Sequence, residues 1–262
     1  MSGSDVVIRF GHPPAAFFIS ILTYGAITVA STLTLRLWGD PQGGSTPRPQ
    51  DTPLRASISL ASLVHACVMT VVGTVVTFGE DWSTKHIVYG QSPLVPFFVA
   101  WEVGYLLEDL AAMAYSKMAH DRWAGWSLAL HHAFLITGLP YYFGRRVQGD
   151  YIWGSLFFMN ASSVCWHLRY FIARGGWEGS RLHAAVSMAF PLTFLVCRFL
   201  FMPFAFWQYG RLEGLAWHDV PLHIPPKCLL GLGSISVFNV YWLVKMGRNV
   251  AATLGKAKTK RS

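Results

Sequence analysis

The chain has 262 residues and a formal net charge of +8; 53% of its residues are hydrophobic and only 13% are charged. An ordinary soluble domain carries about 25% charged residues, so the balance excludes a conventional soluble globular protein. The basic residues sit in short loops and a tail, with no groove-sized domain to carry nucleic acid, and anionic lipid headgroups are the partner that the charge implies.

In chain order, residues 1–14 form a lead and residues 15–50 a first apolar span with its loop. Crossing hydrocarbon takes about 20 apolar residues. Seven stretches qualify: 15–37, 57–79, 94–115, 123–143, 151–173, 184–207 and 227–246. Glycine and proline punctuate them: Gly39, Pro41, Gly43 and Gly44 follow the first, Pro53 precedes the second, Pro93 and Pro96 open the third, Gly175 and Gly176 close the fifth, and Pro225 and Pro226 precede the seventh. The first stretch exceeds the 7–15-residue core of a signal peptide and reads as a helix. No strand-period alternation suggests a barrel, and only helices and closed barrels satisfy their backbone in lipid. The expected fold is all-α and polytopic, with about seven transmembrane helices: one N-terminal helix plus a six-helix bundle enclosing a cavity. Cys67, Cys165, Cys197 and Cys228 contain no CxxC spacing and read as packing residues.

Lys and Arg set the expected orientation. One side collects Arg36, Arg48, Arg55, Lys117, Arg122, Arg174, Arg181, Lys245, Arg248 and the tail, 249–262; the other holds Arg9, Lys85, Arg145, Arg146, Arg211 and Lys227. This predicts a cytoplasmic C-terminus and a lumenal N-terminus. The closing KTKRS places Lys258 and Lys260 at the dilysine spacing of an endoplasmic reticulum retrieval signal, a receptor-read address.

Polar residues inside the spans are the functional signal, because an ionisable group at the bilayer centre costs about 2.5–3.5 kcal/mol by insertion scales. His65, Glu108, Asp109, His131, His167 and Asn239 fall six to eight residues from the cytoplasmic ends of five spans, roughly 9–12 Å deep at 1.5 Å per residue. Glu102, Tyr105 and Asp109 share one helix face by their i, i+3, i+7 spacing, as do Asn160, Ser163 and His167. Adjacent His131 and His132 point about 100° apart, so one is expected to reach a cavity and the other to bond a neighbouring helix. Arg198, at mid-span, needs a partner, and Glu102 is at similar depth. Adjacent histidines lack the i, i+4 spacing with which two imidazoles on one helix share an ion, so no metal and no resident cofactor is expected. The sequon at Asn160 lies inside a span and reads as unglycosylated.

The segments LRASISLASLVHA (Leu54–Ala66), GYLLED (Gly104–Asp109), LHHAFLITG (Leu130–Gly138), NASSVCWHLRYF (Asn160–Phe171) and FPLTFLVCRFLFMPF (Phe190–Phe204) resemble, in order, motifs of the TRAM–LAG1–CLN8 (TLC) domain family. The resemblance extends from Arg55 to Met246 and implies a TLC domain at 51–248. Ceramide synthases, which transfer an acyl group from acyl-CoA to a sphingoid base, are relatives in which the paired histidines and two nearby aspartates are implicated. His131 and His132 match that pair. The aspartates have no counterpart: 151–159 reads YIWGSLFFM, Asn160 stands where the glutamate would be, and Leu135 replaces a threonine. The chain therefore resembles the small TLC-domain-containing proteins more than ceramide synthases.

Two functions follow from the residues and the resemblance together. One is an integral membrane protein of lipid homeostasis that binds an acyl-chain lipid in its bundle. The other is an acyltransferase using acyl-CoA as substrate, with His131 or His132 as nucleophile or general base and Asp109 orienting the imidazole; His65, Glu102, Tyr105, Glu108, Asn160, Ser163, His167, Arg198 and Asn239 would line the pocket. A non-catalytic subunit of a membrane complex, with a protein partner or a second copy, is a further alternative.

Overall fold

The computed structural model describes residues 13–37, 52–87, 89–116, 125–139, 143 and 149–259, with backbone alone at 227, 228 and 250–259. Among the described residues there is no strand. The helices are α1 (Pro13–Leu37), α2 (Pro53–Thr74), α3 (Trp82–Lys85), α4 (Leu94–Ser116), α5 (Gly125–Gly138), α6 (Asp150–Phe158), α7 (Ala161–Ile172), α8 (Arg181–Phe194), α9 (Phe201–Glu213), α10 (Val220–His223) and α11 (Pro226–Thr259). Three π-helical turns extend or join them, at Val75–Gly79 after α2, Ala173–Trp177 after α7 and Leu195–Leu200 between α8 and α9.

Local chemistry explains the ends. Thr52 Oγ1 accepts from the Arg55 N–H at 3.2 Å, and Pro53 at the first helical position gives up an N–H that α2 would leave unpaired anyway. Ser180 caps α8 by accepting from the His183 N–H at 3.1 Å. Gly214 stops α9 with φ 71°, a left-handed conformation that glycine adopts without penalty. In the loop after α2, Asp81 Oδ1 accepts from the Ser83 hydroxyl and backbone N–H, which holds its carboxyl below the usual range.

Four helical stretches among the described residues are long and apolar enough to cross a membrane: Pro13–Leu37, Pro53–Gly79, Arg181–Glu213 and Leu229–Asn249. They coincide with four of the seven expected stretches. Helix α4 has 23 residues and the length to cross, but carries Glu102, Glu108 and Asp109. Helices α6 and α7 follow one another through a tight turn at Met159 and Asn160, so 150–172 is one interrupted rod. The described part of α5 has 14 residues, about 21 Å.

The bundle is apolar outside and polar within. Leu22, Val71, Met188, Leu230 and Val237 are exposed, while His65, Glu102, Asp109, His132 and Asn239 are buried. That inversion suits a solvent of hydrocarbon. Helix α1 packs mainly on α4 and α2; α2 packs on α6 and α7; α7 packs on α8; α5 packs on α4 and α11. Cys67, Cys165 and Cys197 are free thiols; the side chain of Cys228 lies outside the described residues.

Small residues set the closest crossings, as is usual where lipid removes the hydrophobic drive between helices. A Cβ on Gly73 would run into the backbone nitrogen of Phe158, and one on Gly154 into the side chain of Val76, so α2 and α6 cross nearly in backbone contact. A Cβ on Gly104 would lie 2.6 Å from the Phe17 carbonyl oxygen, across the α1–α4 contact. We expect Gly73→Ala to destabilise the protein by about 1–3 kcal/mol, the usual cost of overpacking, because backbone cannot swing aside as a side chain can. Gly231→Ala, where nothing lies within 4 Å of the new Cβ, should leave the protein as stable or up to about 1 kcal/mol more so. Thermal unfolding of both variants in lipid nanodiscs checks the contrast.

Candidate functional site

Two carboxylate–imidazole pairs bridge neighbouring helices. His65 of α2 places Nε2 3.0 Å from Glu102 Oε2 of α4. Two turns along α4, Asp109 Oδ2 lies 3.1 Å from His132 Nδ1 of α5. Neither contact has hydrogen-bond geometry, and a small turn of either group would complete a hydrogen bond. Tyr105, from the same face of α4, stacks on the His65 ring with centroids 3.5 Å apart and planes 9° apart. Ser62 Oγ lies 3.4 Å from Asp109 Oδ1. The i, i+3, i+7 face predicted for α4 is thus the face that meets both imidazoles.

Behind His65 stands Tyr24 of α1. Its hydroxyl is 3.2 Å from His65 Nδ1 and accepts from the Trp101 indole N–H at 3.0 Å. Thr28, one turn further along α1, donates to Glu108 Oε1 at 3.0 Å, turning Glu108 toward α1. Tyr24, Thr28 and Trp101 were absent from the residues expected to form the site. Their signal was present in the sequence: Ala16, Ser20, Tyr24 and Thr28 recur every four residues, and all four are buried.

A second cluster surrounds Arg198, which sits on the π-helical turn Leu195–Leu200. Pro191 within α8 and Pro203 within α9 each lack a backbone donor, and the intervening backbone is wound to i→i+5 bonding, seen in Phe201 N–H donating to the Val196 carbonyl. Such bulges are frequent at functional sites. The guanidinium donates through Nε to Ser162 Oγ at 2.9 Å, through Nη1 to Asn239 Oδ1 at 3.3 Å and through Nη2 to Ser163 Oγ at 3.2 Å. The partner expected for it, Glu102, sits instead at ion-pair distance from His65.

Between the clusters lies a cavity of about 80 Å³. Glu102, His131, Asn160 and Arg198 form its polar lining; Leu135, Leu139, Trp153, Leu156, Phe157, Met159 and Ile235 form the apolar wall. His131 packs edge-on against Phe238 and Trp242 of α11, with centroids 5.2 and 5.1 Å away, and its buried Nδ1 has no hydrogen-bond partner. His131 lines the cavity, and His132 faces Asp109 with its Nδ1 close by but without the hydrogen bond to a neighbouring helix that was expected. His167 also buries an unpartnered Nδ1 and lies within electrostatic range of Asp109 and His65. Among the described residues no three His, Cys, Asp or Glu side chains gather as a metal ion requires; the side chains that meet here bring imidazole, carboxylate and guanidinium groups.

An apolar rim around a buried set of acids, imidazoles and a guanidinium defines an integral membrane protein with a polar interior site. The sequence model of the TLC domain matches residues 55–248. The chain belongs to the TLC-domain family, and both the paired histidines and Arg198 fall inside the matched region, whereas α1 lies before it. No solved structure matches the chain.

Proposed function

We propose that the protein binds an acyl-chain lipid in its helical bundle and serves membrane lipid homeostasis. The observation that carries this reading is the cavity, where Glu102, His131, Asn160 and Arg198 sit against an apolar wall. Ligand sites in general are apolar with a few convergent polar groups. A cavity of about 80 Å³ takes the polar end of a lipid with a few carbons, and the remaining chain would run outward between helices. The family assignment agrees with a lipid-related role. The charge distribution along the chain and the dilysine spacing at Lys258 and Lys260 support an endoplasmic reticulum membrane protein with its C-terminus in the cytoplasm; the tail's side chains lie outside the described residues.

A second reading, acyl transfer from acyl-CoA, is favoured by one specific feature. His131 is on the cavity wall and its buried Nδ1 has no hydrogen-bond partner, so its imidazole is uncommitted, as a nucleophile's would be. Its attack on a thioester would form an acyl–imidazole bond and release the CoA thiolate, and a lipid amine or hydroxyl would then take the acyl group.

Native mass spectrometry of the detergent-purified protein, with labelled acyl-CoA added, tests both. A retained acyl lipid that is lost in Arg198→Met supports the binder. A labelled covalent adduct absent from His131→Ala supports the enzyme. Wild-type protein that carries no lipid, takes none up from vesicles and forms no adduct overturns the proposal.

A further inference from the structure

We infer that Tyr24 is a positioning residue that fixes the tautomer of His65, so that helix α1, outside the matched TLC region, is a working part of the site. Indole N–H can only donate, so the contact from Trp101 Nε1 at 3.0 Å makes the Tyr24 oxygen an acceptor. The tyrosine's own proton then needs an acceptor, and the group within reach is His65 Nδ1, 3.2 Å away. An imidazole nitrogen that accepts carries no proton, so the ring proton of His65 resides on Nε2. That nitrogen faces Glu102 Oε2 at 3.0 Å. Stacking against Tyr105 prevents the ring from flipping to exchange its two nitrogens, and the 2% exposure of His65 keeps water from substituting for the hydroxyl.

The result is a directed pair of hydrogen bonds, Trp101 to Tyr24 to His65, which ends beside Glu102, a residue of the cavity lining. Its consequence is that Glu102 has the protonated nitrogen of His65 beside it while it lines the cavity together with Arg198. The anchoring of α1 makes this arrangement durable. Ser20 donates to the Trp101 carbonyl at 2.7 Å and Thr28 to Glu108 at 3.0 Å, so Tyr24 is held from the turns on both sides. The role of this pair of bonds in presenting Glu102 to a lipid rests on the function proposed above; the tautomer itself does not.

The test reads ring nitrogens directly and needs no lipid. Full-length protein labelled with ¹⁵N-histidine in nanodiscs is compared with His65→Gln to identify the His65 signals. In wild type, Nε2 should be protonated and Nδ1 not. Tyr24→Phe keeps the ring but removes the hydroxyl, and the Nδ1-protonated form should rise about fivefold, as expected for loss of one hydrogen bond. Trp101→Phe removes the indole donor and frees the tyrosine oxygen to accept from Nδ1–H, so it should shift the population the same way; it carries the test should Tyr24→Phe fail to fold. A wild-type His65 protonated at Nδ1, alone or as imidazolium, overturns the inference. So does a tautomer population that both variants leave unchanged.

Discussion

Arg198→Met will purify with at least tenfold less bound lipid than wild type, and will unfold about 1–2 kcal/mol more easily. The two effects have separate origins. Arg198 links three helical elements through Ser162, Ser163 and Asn239. Hydrogen bonds from charged groups contribute about 1.5–3 kcal/mol each in soluble proteins, but polar contacts between membrane helices average nearer 0.6 kcal/mol. Removing a buried guanidinium also relieves its desolvation. The net loss of stability is therefore modest. The loss of lipid is large, because methionine leaves the polar end of the cavity with no cationic donor. Arg198→Lys separates the two further: a lysine keeps the charge but cannot span three acceptors with one ammonium. It should retain part of the lipid while losing as much stability as the methionine variant. Lipid retention unchanged in Arg198→Met would remove Arg198 from the site.

The helices and their polar faces were readable in advance; the partners within them were not. Period and depth follow from chain position, so the shared face of Glu102, Tyr105 and Asp109 emerged from spacing, whereas spacing did not say which of His131 and His132 lines the cavity. Pairing depends on how each helix is rotated about its axis, which tertiary packing decides. Depth alone matched Arg198 with Glu102. The π-helical turn at Leu195–Leu200 breaks the 3.6-residue phase at that point, and a periodicity argument has no means of seeing the break. The turn at Met159 and Asn160 that divides α6 from α7 was hidden for a similar reason, since both sides remain apolar. Tyr24 was overlooked on chemical grounds. Serine, threonine and tyrosine are unremarkable in a membrane helix one at a time, and only their four-residue recurrence marks a face that docks on other helices.

Asp109→Leu should destabilise the protein by about 1–3 kcal/mol, the cost of leaving a buried polar group without its partner. Asp109 and His132 are 4% and 7% exposed, so water cannot replace the lost carboxylate. Leucine would leave the buried His132 Nδ1, which lies 3.1 Å from Asp109 Oδ2 in the wild type, facing hydrocarbon. The double variant Asp109→Leu/His132→Leu should recover most of that loss, since an apolar pair of similar volume is often as stable as the ion pair it replaces. Unfolding of the wild type, both single variants and the double variant closes a cycle whose coupling energy should exceed about 1 kcal/mol for residues in direct contact. An additive cycle would mean that the 3.1 Å approach carries no energy. Function then discriminates what stability cannot. If the pair serves only to hold α4 to α5, lipid retention and any acyl-adduct formation should return with stability in the double variant. If His132 and Asp109 support His131 chemically, the double variant will fold and hold lipid yet form no adduct, because the imidazole beside the cavity will have lost the carboxylate–imidazole pair one residue away.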